Sequence, residues 1–376
     1  MTQGVRRAVP AVPLSGPYLG DREEELVLEV MRSGRLSLGP TIDRFEEAFA
    51  ERVGAPYAAA VSSGTAGLHL LCVSAGIGPG DEVITTPYSF AASANCFVYE
   101  GGVPVFADID RRTLNVDPAA AEAAITPRTK AIVAVDIYGY PCELDELTQI
   151  AERHRLALIQ DSCEALGARY RGAPVGSQGP SCVFAFYPNK QITTGEGGVV
   201  TTHSEAEWRL LRSLRNQGRG DDGGWLEHVR LGFNYRIDDV RSAIGIGQLE
   251  RLDEILVLRG QVAQRYHELL SAIDGVELPC ADDPDHQRSW FVYVVALPDN
   301  DARERAIAAF EREAIGFNRY LPSIHLQPYM RERFGFREGL CPVSEDVSAR
   351  TLALPFFTAL GGASQERVAE VLASAL

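Results

Sequence analysis

Three groupings of residues in this chain could support covalent chemistry on a carbonyl. Lys190 stands in the stretch Phe184 to Gly198, FAFYPNKQITTGEGG, after a short apolar run and before a glycine-bearing turn. An amine set against an apolar wall and near other cations has a lowered pKa, so more of it is the nucleophilic free base that forms a Schiff base. Read alone, the pattern equally describes a surface lysine in a strand-to-turn segment. Upstream, Ser62, Ser63, Gly64 and Thr65 lie between an apolar strand and a helical run. Backbone N–H groups at a helix N-terminus, with hydroxyls beside them, make a phosphate seat; an ordinary serine-capped helix is the alternative. Asp161 ends another apolar strand, 29 residues before Lys190. A buried carboxylate there needs a partner. The protonated ring nitrogen of a pyridine cofactor is one, and a magnesium ion is the rival, although no second acid at convincing spacing supports it. In this order on an α/β frame, the three groupings are the handles that pyridoxal phosphate requires.

The elements that must position these residues follow a strand-then-helix rhythm. Short apolar runs at Ala58 to Ser62, Val83 to Thr86, Val103 to Ala107, Ala131 to Val135 and Leu156 to Gln160 predict strands. Helical segments between them are predicted at Ala66 to Ser74, within Phe90 to Phe97, at Ala119 to Ile125 and at Glu143 to His154. Such alternation predicts a sheet buried on both faces, with ligands beyond the carboxyl ends of its strands. Ser62, Asp136 and Asp161 occupy such ends. Before this region come an irregular arm to about residue 20, a helix from Arg22 to Arg32, the SGRLSLGP loop, and a helix starting near Thr41 whose hydroxyl could cap it. After it, Cys182 to Phe186 and Gly198 to Thr202 read as strands joined across the Lys190 segment, and Glu205 to Asn216 as a helix. GRGDDGGW is read as a solvent loop, and Asp239 to Leu270 as a long helix broken near Gly260. A second α/β unit starts at Phe291 to Leu297, continues with a helix over Ala302 to Ala314 and closes at Gln365 to Leu376. The expected organisation is a large cofactor-binding domain over 1–250, arm included, and a smaller C-terminal domain over 251–376.

Composition narrows the partners. The 36 basic and 51 acidic residues give a formal charge of -15, which argues against nucleic acid or an anionic membrane surface as partner. No run of 18 apolar residues occurs and the N-terminus does not read as a signal peptide, so a soluble, cytoplasmic protein is expected. The seven cysteines are scattered without a CxxC pair, neither a disulfide framework nor a zinc spacing, and no metal site is expected. GxxxxGK[ST] is absent, and the GIGIG around Gly245 and Gly247 falls inside a helical reading.

Six motifs together carry a resemblance: SSGTAGLHL at 62–70, TTPYSFAASAN at 85–95, DSCEALGA at 161–168, FYPNKQITTGEGG at 186–198, LRNQGR at 214–219 and GFNYRIDDVRSAIG at 232–245. The chain resembles the DegT/DnrJ/EryC1/StrS family of sugar aminotransferases, from near residue 13 to the C-terminus. The resemblance implies an aspartate-aminotransferase-like, fold type I α/β architecture. It implies Lys190 as the Schiff-base lysine, Asp161 on the pyridine nitrogen, Phe90 stacked on the ring, and Gly64 and Thr65 seating the phosphate. Glu164 takes the polar position near the cofactor's ring oxygen or the substrate. Asn234 matches an asparagine that reaches the neighbouring subunit's phosphate site, which implies a homodimer with shared active sites. Tyr320 and His325 match a segment lining the sugar pocket, and the loop holding Arg35 and Ser37 matches another of its walls.

The implied reaction moves an amino group, with glutamate the expected donor, through the pyridoxamine form of the cofactor to a nucleotide-linked 3- or 4-keto-hexose. A keto-cyclitol is the alternative acceptor, and a cofactor-binding regulatory protein the alternative outside catalysis. Arg219, Arg230 and Arg236 are candidate diphosphate donors, against surface solubility for the first two and a structural or cross-subunit salt bridge for Arg236. Dehydratases of the family carry histidine in place of the lysine, so Lys190 argues against that reaction. One departure stands out: Ala185 replaces a serine whose hydroxyl contacts the phosphate in many relatives. The expectation is that Gln191, Ser181 or water compensates.

Overall fold

A computed structural model describes residues 11–220 and 227–376; the first ten residues of the expected arm, and residues 221–226, which take in the last five of the GRGDDGGW stretch, lie outside the described residues. The apolar runs become β1 (Tyr57–Val61), β2 (Glu82–Thr85), β3 (Val103–Phe106), β4 (Thr129–Val135) and β5 (Ala157–Asp161). Two-residue strands β6 (Arg169–Tyr170) and β7 (Ala173–Pro174) follow, then β8 (Ser181–Ala185) and β9 (Gly198–Thr202). The main sheet has seven strands in the order β1-β9-β8-β5-β4-β2-β3. Only β9 runs antiparallel to its neighbours. The carboxyl ends of β1, β4, β5 and β8 therefore share one edge, which gathers Ser62, Asp136, Asp161 and Ala185 there.

Side chains alternate across this sheet with the period of two that a pleated strand imposes. On one face Ala59, Val61, Val133, Ile159 and Val183 pack beneath α3 (Gly64–Ser74) and α7 (Glu205–Arg215). The same layer takes Phe97 from α4 (Ala92–Val98). On the other face Ala58, Ala60, Phe184 and Val199 meet Leu26 and Val30 of α1 (Asp21–Ser33) and Phe45 and Phe49 of α2 (Pro40–Val53). Farther along that face, Ile84 and Ile132 meet α5 (Pro118–Ala123) and α6 (Leu144–His154). Both faces are covered, as the uninterrupted apolar strands require.

Two sequence expectations are corrected here. Thr41 does not cap α2, which begins one residue earlier after Gly39. Its opening N–H groups are met instead by Asp239, which accepts from Gly39 N at 2.9 Å and Thr41 N at 3.0 Å. The long helix breaks at Arg251, between α8 (Asp239–Glu250) and α9 (Leu252–Leu270), and not at Gly260. Arg251 leaves helical geometry with φ -107° and ψ 6°, whereas Gly260 has open space where a side chain would begin. One glycine in a helix costs only about 1 kcal/mol and breaks nothing by itself.

The C-terminal unit pairs β11 (Tyr293–Ala296) antiparallel with β12 (Thr351–Leu354), after a short strand β10 (His286–Gln287) that joins β6. α9, α10 (Asn300–Arg312) and α13 (Gly362–Ala375) close over this pair around Tyr266, Phe310, Val368 and Leu372. Sequence reading did not assign α11 (Pro328–Phe334), α12 (Pro342–Arg350) or β12. No helix among the described residues is long and apolar enough to cross a membrane.

Candidate active site

Helix α3 begins where β1 ends. Ser63 caps it, accepting from Ala66 N at 3.1 Å, and the Ser63 carbonyl accepts from Gly67 N. The N–H groups of Gly64 and Thr65 open the helix without an intrahelical acceptor and sit at the positive end of its dipole. Gly64 must be glycine: a Cβ there would lie 2.7 Å from both Ala185 Cβ and Cys163 Sγ. That contact sets the bare start of α3 against the ends of β5 and β8.

Lys190 is delivered by the turn that leaves β8. The turn is fixed by Lys190 N on the Tyr187 carbonyl at 2.9 Å and by Thr193 Oγ1 donating to the Phe186 carbonyl at 3.0 Å. The Lys190 amine lies 3.3 Å from Glu164 Oε1 and 3.8 Å from the centre of the Phe291 ring. The other Glu164 oxygen accepts from Tyr138 N at 2.8 Å. Burial raises the Glu164 pKa, and the neighbouring lysine charge opposes the rise. Three residues before Glu164, buried Asp161 accepts from Ser93 Oγ at 2.7 Å and from Cys163 N at 3.2 Å. Ser89 lies 2.7 Å behind Ser93. Both groups on the carboxylate are donors, the surroundings of an anion that receives a further proton-bearing partner.

The edge therefore holds the opening N–H groups of a helix, an oriented buried carboxylate and an amine. These residues fit pyridoxal phosphate: Gly64 and Thr65 would take the phosphate, Asp161 the ring nitrogen and Lys190 the aldehyde carbon. Phe90, at the approach to α4, is 66% exposed and offers an open flat face. The expected compensation for Ala185 is not found in either named side chain. Ser181 sits at the opposite end of β8, on Thr202 and Glu207. The Gln191 amide nitrogen is held by the Glu164 carbonyl and Ser289.

The residues expected around a substrate are more dispersed. Tyr320 stacks on Tyr138 at 6.4 Å and accepts from Asn189 at 3.4 Å, which places it beside the Glu164 wall. His325 is wholly buried, with Nε2 2.9 Å from Glu345 Oε1 and, among the described residues, no hydrogen-bond partner for Nδ1. Arg35 and Ser37 are exposed on their loop. Asn234 is also exposed and bridges to Asn216, whose side chain accepts from Arg236 at 2.9 Å. Among the described residues no hydrogen bond or ion pair joins Arg35, Ser37, Asn234 or Arg236 to Lys190, Asp161 or Glu164. The segment still passes the phosphate seat, since the Tyr235 carbonyl accepts from Ser62 N at 2.7 Å.

Sequence reading missed Ser93, Ser89, Tyr138 and Phe291. The serines carried a usable signal, four residues apart and so on one side of a helical turn. Phe291 carried none, because only tertiary packing brings it to Lys190.

The model of the DegT/DnrJ/EryC1/StrS aminotransferase family matches residues 17–373. The spore coat polysaccharide biosynthesis protein SpsC of Bacillus subtilis is 37% identical over 374 residues, 96% of each chain. Among solved structures, S. venezuelae DesV, determined with a ketimine intermediate, superposes with a TM-score of 0.89 at 31% identity, over 96% of this chain and 98% of DesV. Helicobacter pylori PseC, an aminotransferase of pseudoaminic acid biosynthesis, gives 0.91 at 27%, over 97% and 98%. On sequence, fold and site alike, the chain belongs to the DegT/DnrJ/EryC1/StrS family and is a pyridoxal-phosphate-dependent aminotransferase.

Proposed function

We propose that this enzyme transfers an amino group from L-glutamate to a nucleotide-linked 3- or 4-keto-hexose, giving an amino-sugar. The observation that carries the chemistry is the pair that partly buried Lys190 makes with buried Glu164, beside buried Asp161. The names of SpsC and PseC, a polysaccharide protein and a pseudoaminic acid aminotransferase, support a sugar acceptor. Bound pyridoxal phosphate supplies an electron sink that acidifies the proton on the amino-bearing carbon. Lys190 Nζ would carry that proton off the substrate carbon and deliver it again, and Glu164 would balance the charge while Lys190 is an ammonium. Asp161, aimed by Ser93, holds the proton on the ring nitrogen throughout. The N–H groups of Gly64 and Thr65 fix the phosphate, and Phe90 covers the ring. Held in this way, the cofactor would carry the amino group from donor to acceptor.

We place the working form as a homodimer in which Asn234 serves the partner's phosphate seat and Arg35, Ser37, Tyr320 and Arg236 contact substrate. Large apolar side chains left open on one chain support this, among them Phe90, Tyr187 at 53% and Leu231 at 88% exposure. The break at Arg251 supports a domain boundary at 250/251. Seven free cysteines support a reducing compartment, the cytoplasm.

The test is a half-reaction screen. Glutamate should convert the spectrum of the loaded enzyme to the aminated form, and one nucleotide keto-hexose should restore it. Restoration by a keto-inositol alone would replace the sugar by a cyclitol. A spectrum that responds to neither glutamate nor keto-sugar would remove the catalytic reading.

A further inference from the structure

A cleft that the transamination does not use lies between the loop after β3, the turn after β4, and the β11–β12 pair. It is narrow, about 40 Å³, partly open to solvent, and four arginines line it: Arg111, Arg112, Arg288 and Arg350. The only carboxylate among its lining residues is Glu277. Two of the arginines are already neutralised. Arg111 pairs with Asp346 at 2.7 Å, and Arg350 with Glu277 at 3.0 Å and Asp346 at 3.2 Å. Arg112 is held more loosely: it donates to Tyr140 Oη at 3.4 Å and has Asp283 at 3.7 Å, within ion-pair reach but beyond hydrogen-bond length.

Arg288 is the unusual member. Its guanidinium is held between the rings of Tyr140 and Trp290, at 4.8 and 4.9 Å. Its hydrogen bonds go to the carbonyl and sulfur of Cys280, at 3.3 and 3.1 Å, and its buried Nε has no partner. Among the described residues no carboxylate lies within ion-pair distance of it; Asp282 bonds to its backbone N–H, and its charge reaches the guanidinium only from farther off. Burial lowers the Arg288 pKa, which reports the cost of keeping that cation out of water. Aromatic faces recover part of the cost, but a desolvated guanidinium is stabilised most by an oxyanion that accepts two of its N–H groups.

We propose that this cleft is a second ligand site, in which Arg288 and Arg112 bind the phosphate or carboxylate group of a small metabolite. Leu114, Leu278 and Val292 form walls suited to a short carbon skeleton. The site adjoins the catalytic lysine through one residue: Tyr138 lines the cleft, and its N–H holds the Glu164 that pairs with Lys190. A ligand here is therefore placed to act on the enzyme as an effector. The assignment does not depend on which acceptor the enzyme aminates.

Calorimetric titration of inorganic phosphate and of succinate into the cofactor-loaded enzyme tests it, because the cofactor then fills its own phosphate seat. One saturable event per chain is expected for at least one anion, weakened tenfold or more by Arg288→Gln and by Arg112→Gln. Arg153→Gln, which breaks a surface pair with Glu122, should leave it unchanged. Phosphate alone binding assigns a phosphate ester, and succinate alone a carboxylic acid. Arg112 is more than half exposed, so its variant folds even if the Arg288 variant does not. No saturable binding of either anion, or equal affinity in the parent and Arg112→Gln, overturns the proposal.

Discussion

Glu164 and Ala185 are the two residues at which this chain can be read most sharply. Glu164 is buried, and its pKa is raised by desolvation against the pull of Lys190. Protonating it removes the counter-charge of the catalytic amine, so kcat/KM should fall on the acid side through a limb above the ordinary carboxylate range near 4.3. Glu164→Gln keeps an oxygen for Tyr138 N but no charge. We expect a plateau about tenfold to a hundredfold lower, from the loss of a charge-assisted bond of about 1.5–3 kcal/mol, and no acid limb. An acid limb persisting in the variant would assign it to another group. At Ala185, with Ser181 remote and Gln191 engaged, no side chain named from the sequence replaces the missing hydroxyl. Ala185→Ser should therefore tighten cofactor binding by about tenfold or more, a gain of about 1.5–3 kcal/mol; an unchanged Kd would show that solvent already fills the gap. At this scale the sequence was legible where chemistry dictates residue type, as at Lys190 and Asp161. It was less legible at His325, whose buried ring meets Glu345 at 2.9 Å, a partner 20 residues away that no local pattern announces.

Among the elements, strands were easier to read than the joints between them. The five apolar runs from β1 to β5 announce themselves because a sheet covered on both faces needs no alternation. β12, only four residues long and directly after α12, gave no separate signal. The start of α2 shows why joints are harder: its cap comes from Asp239, 198 residues beyond Thr41. That carboxylate also accepts from Gly39, and the Asp239 N–H donates to the Leu36 carbonyl at 3.0 Å. One residue at the head of α8 thus ties down the loop that carries Arg35 and Ser37. Asp239→Ala would leave two N–H groups without acceptors and cost about 2–3 kcal/mol. The loosened loop should also raise KM for the sugar more than it lowers kcat, while Asp239→Asn retains part of both. Thermal unfolding and steady-state kinetics check this, and an unfolding midpoint equal to the parent's would show that the cap is not needed.

For the molecule as a whole, stability against pH is set by a balance of hydrogen-bonded and buried carboxylates, and Asp136 weighs against the trend. Asp283 is held down to about 2, where hydrogen bonds from His286 and Tyr140 overcome the opposing effect of burial. Its contribution to folding is present above its unfolded pKa near 3.9 and is lost as pH falls toward 2. Asp136 is wholly buried beneath the site, and desolvation pushes it up to about 6 despite bonds from Cys142 N, Gln160 and Ser162. Between about 4 and 6 the folded chain keeps a proton that the unfolded chain has released, so raising pH through this window weakens folding. A gap of about two pKa units is worth up to about 3 kcal/mol, in full above pH 6. Asp136→Asn removes the titration and supplies an amide to a pocket where the Gln160 Oε1 is buried without a partner. The variant's stability relative to the parent should therefore rise by about 2–3 kcal/mol between pH 4 and pH 7, whatever its absolute value. Urea unfolding of both proteins across that range measures the difference. Parallel curves would mean that Asp136 stays ionised in the folded chain, held by the Ser162 hydroxyl and the Cys142 N–H more strongly than burial opposes.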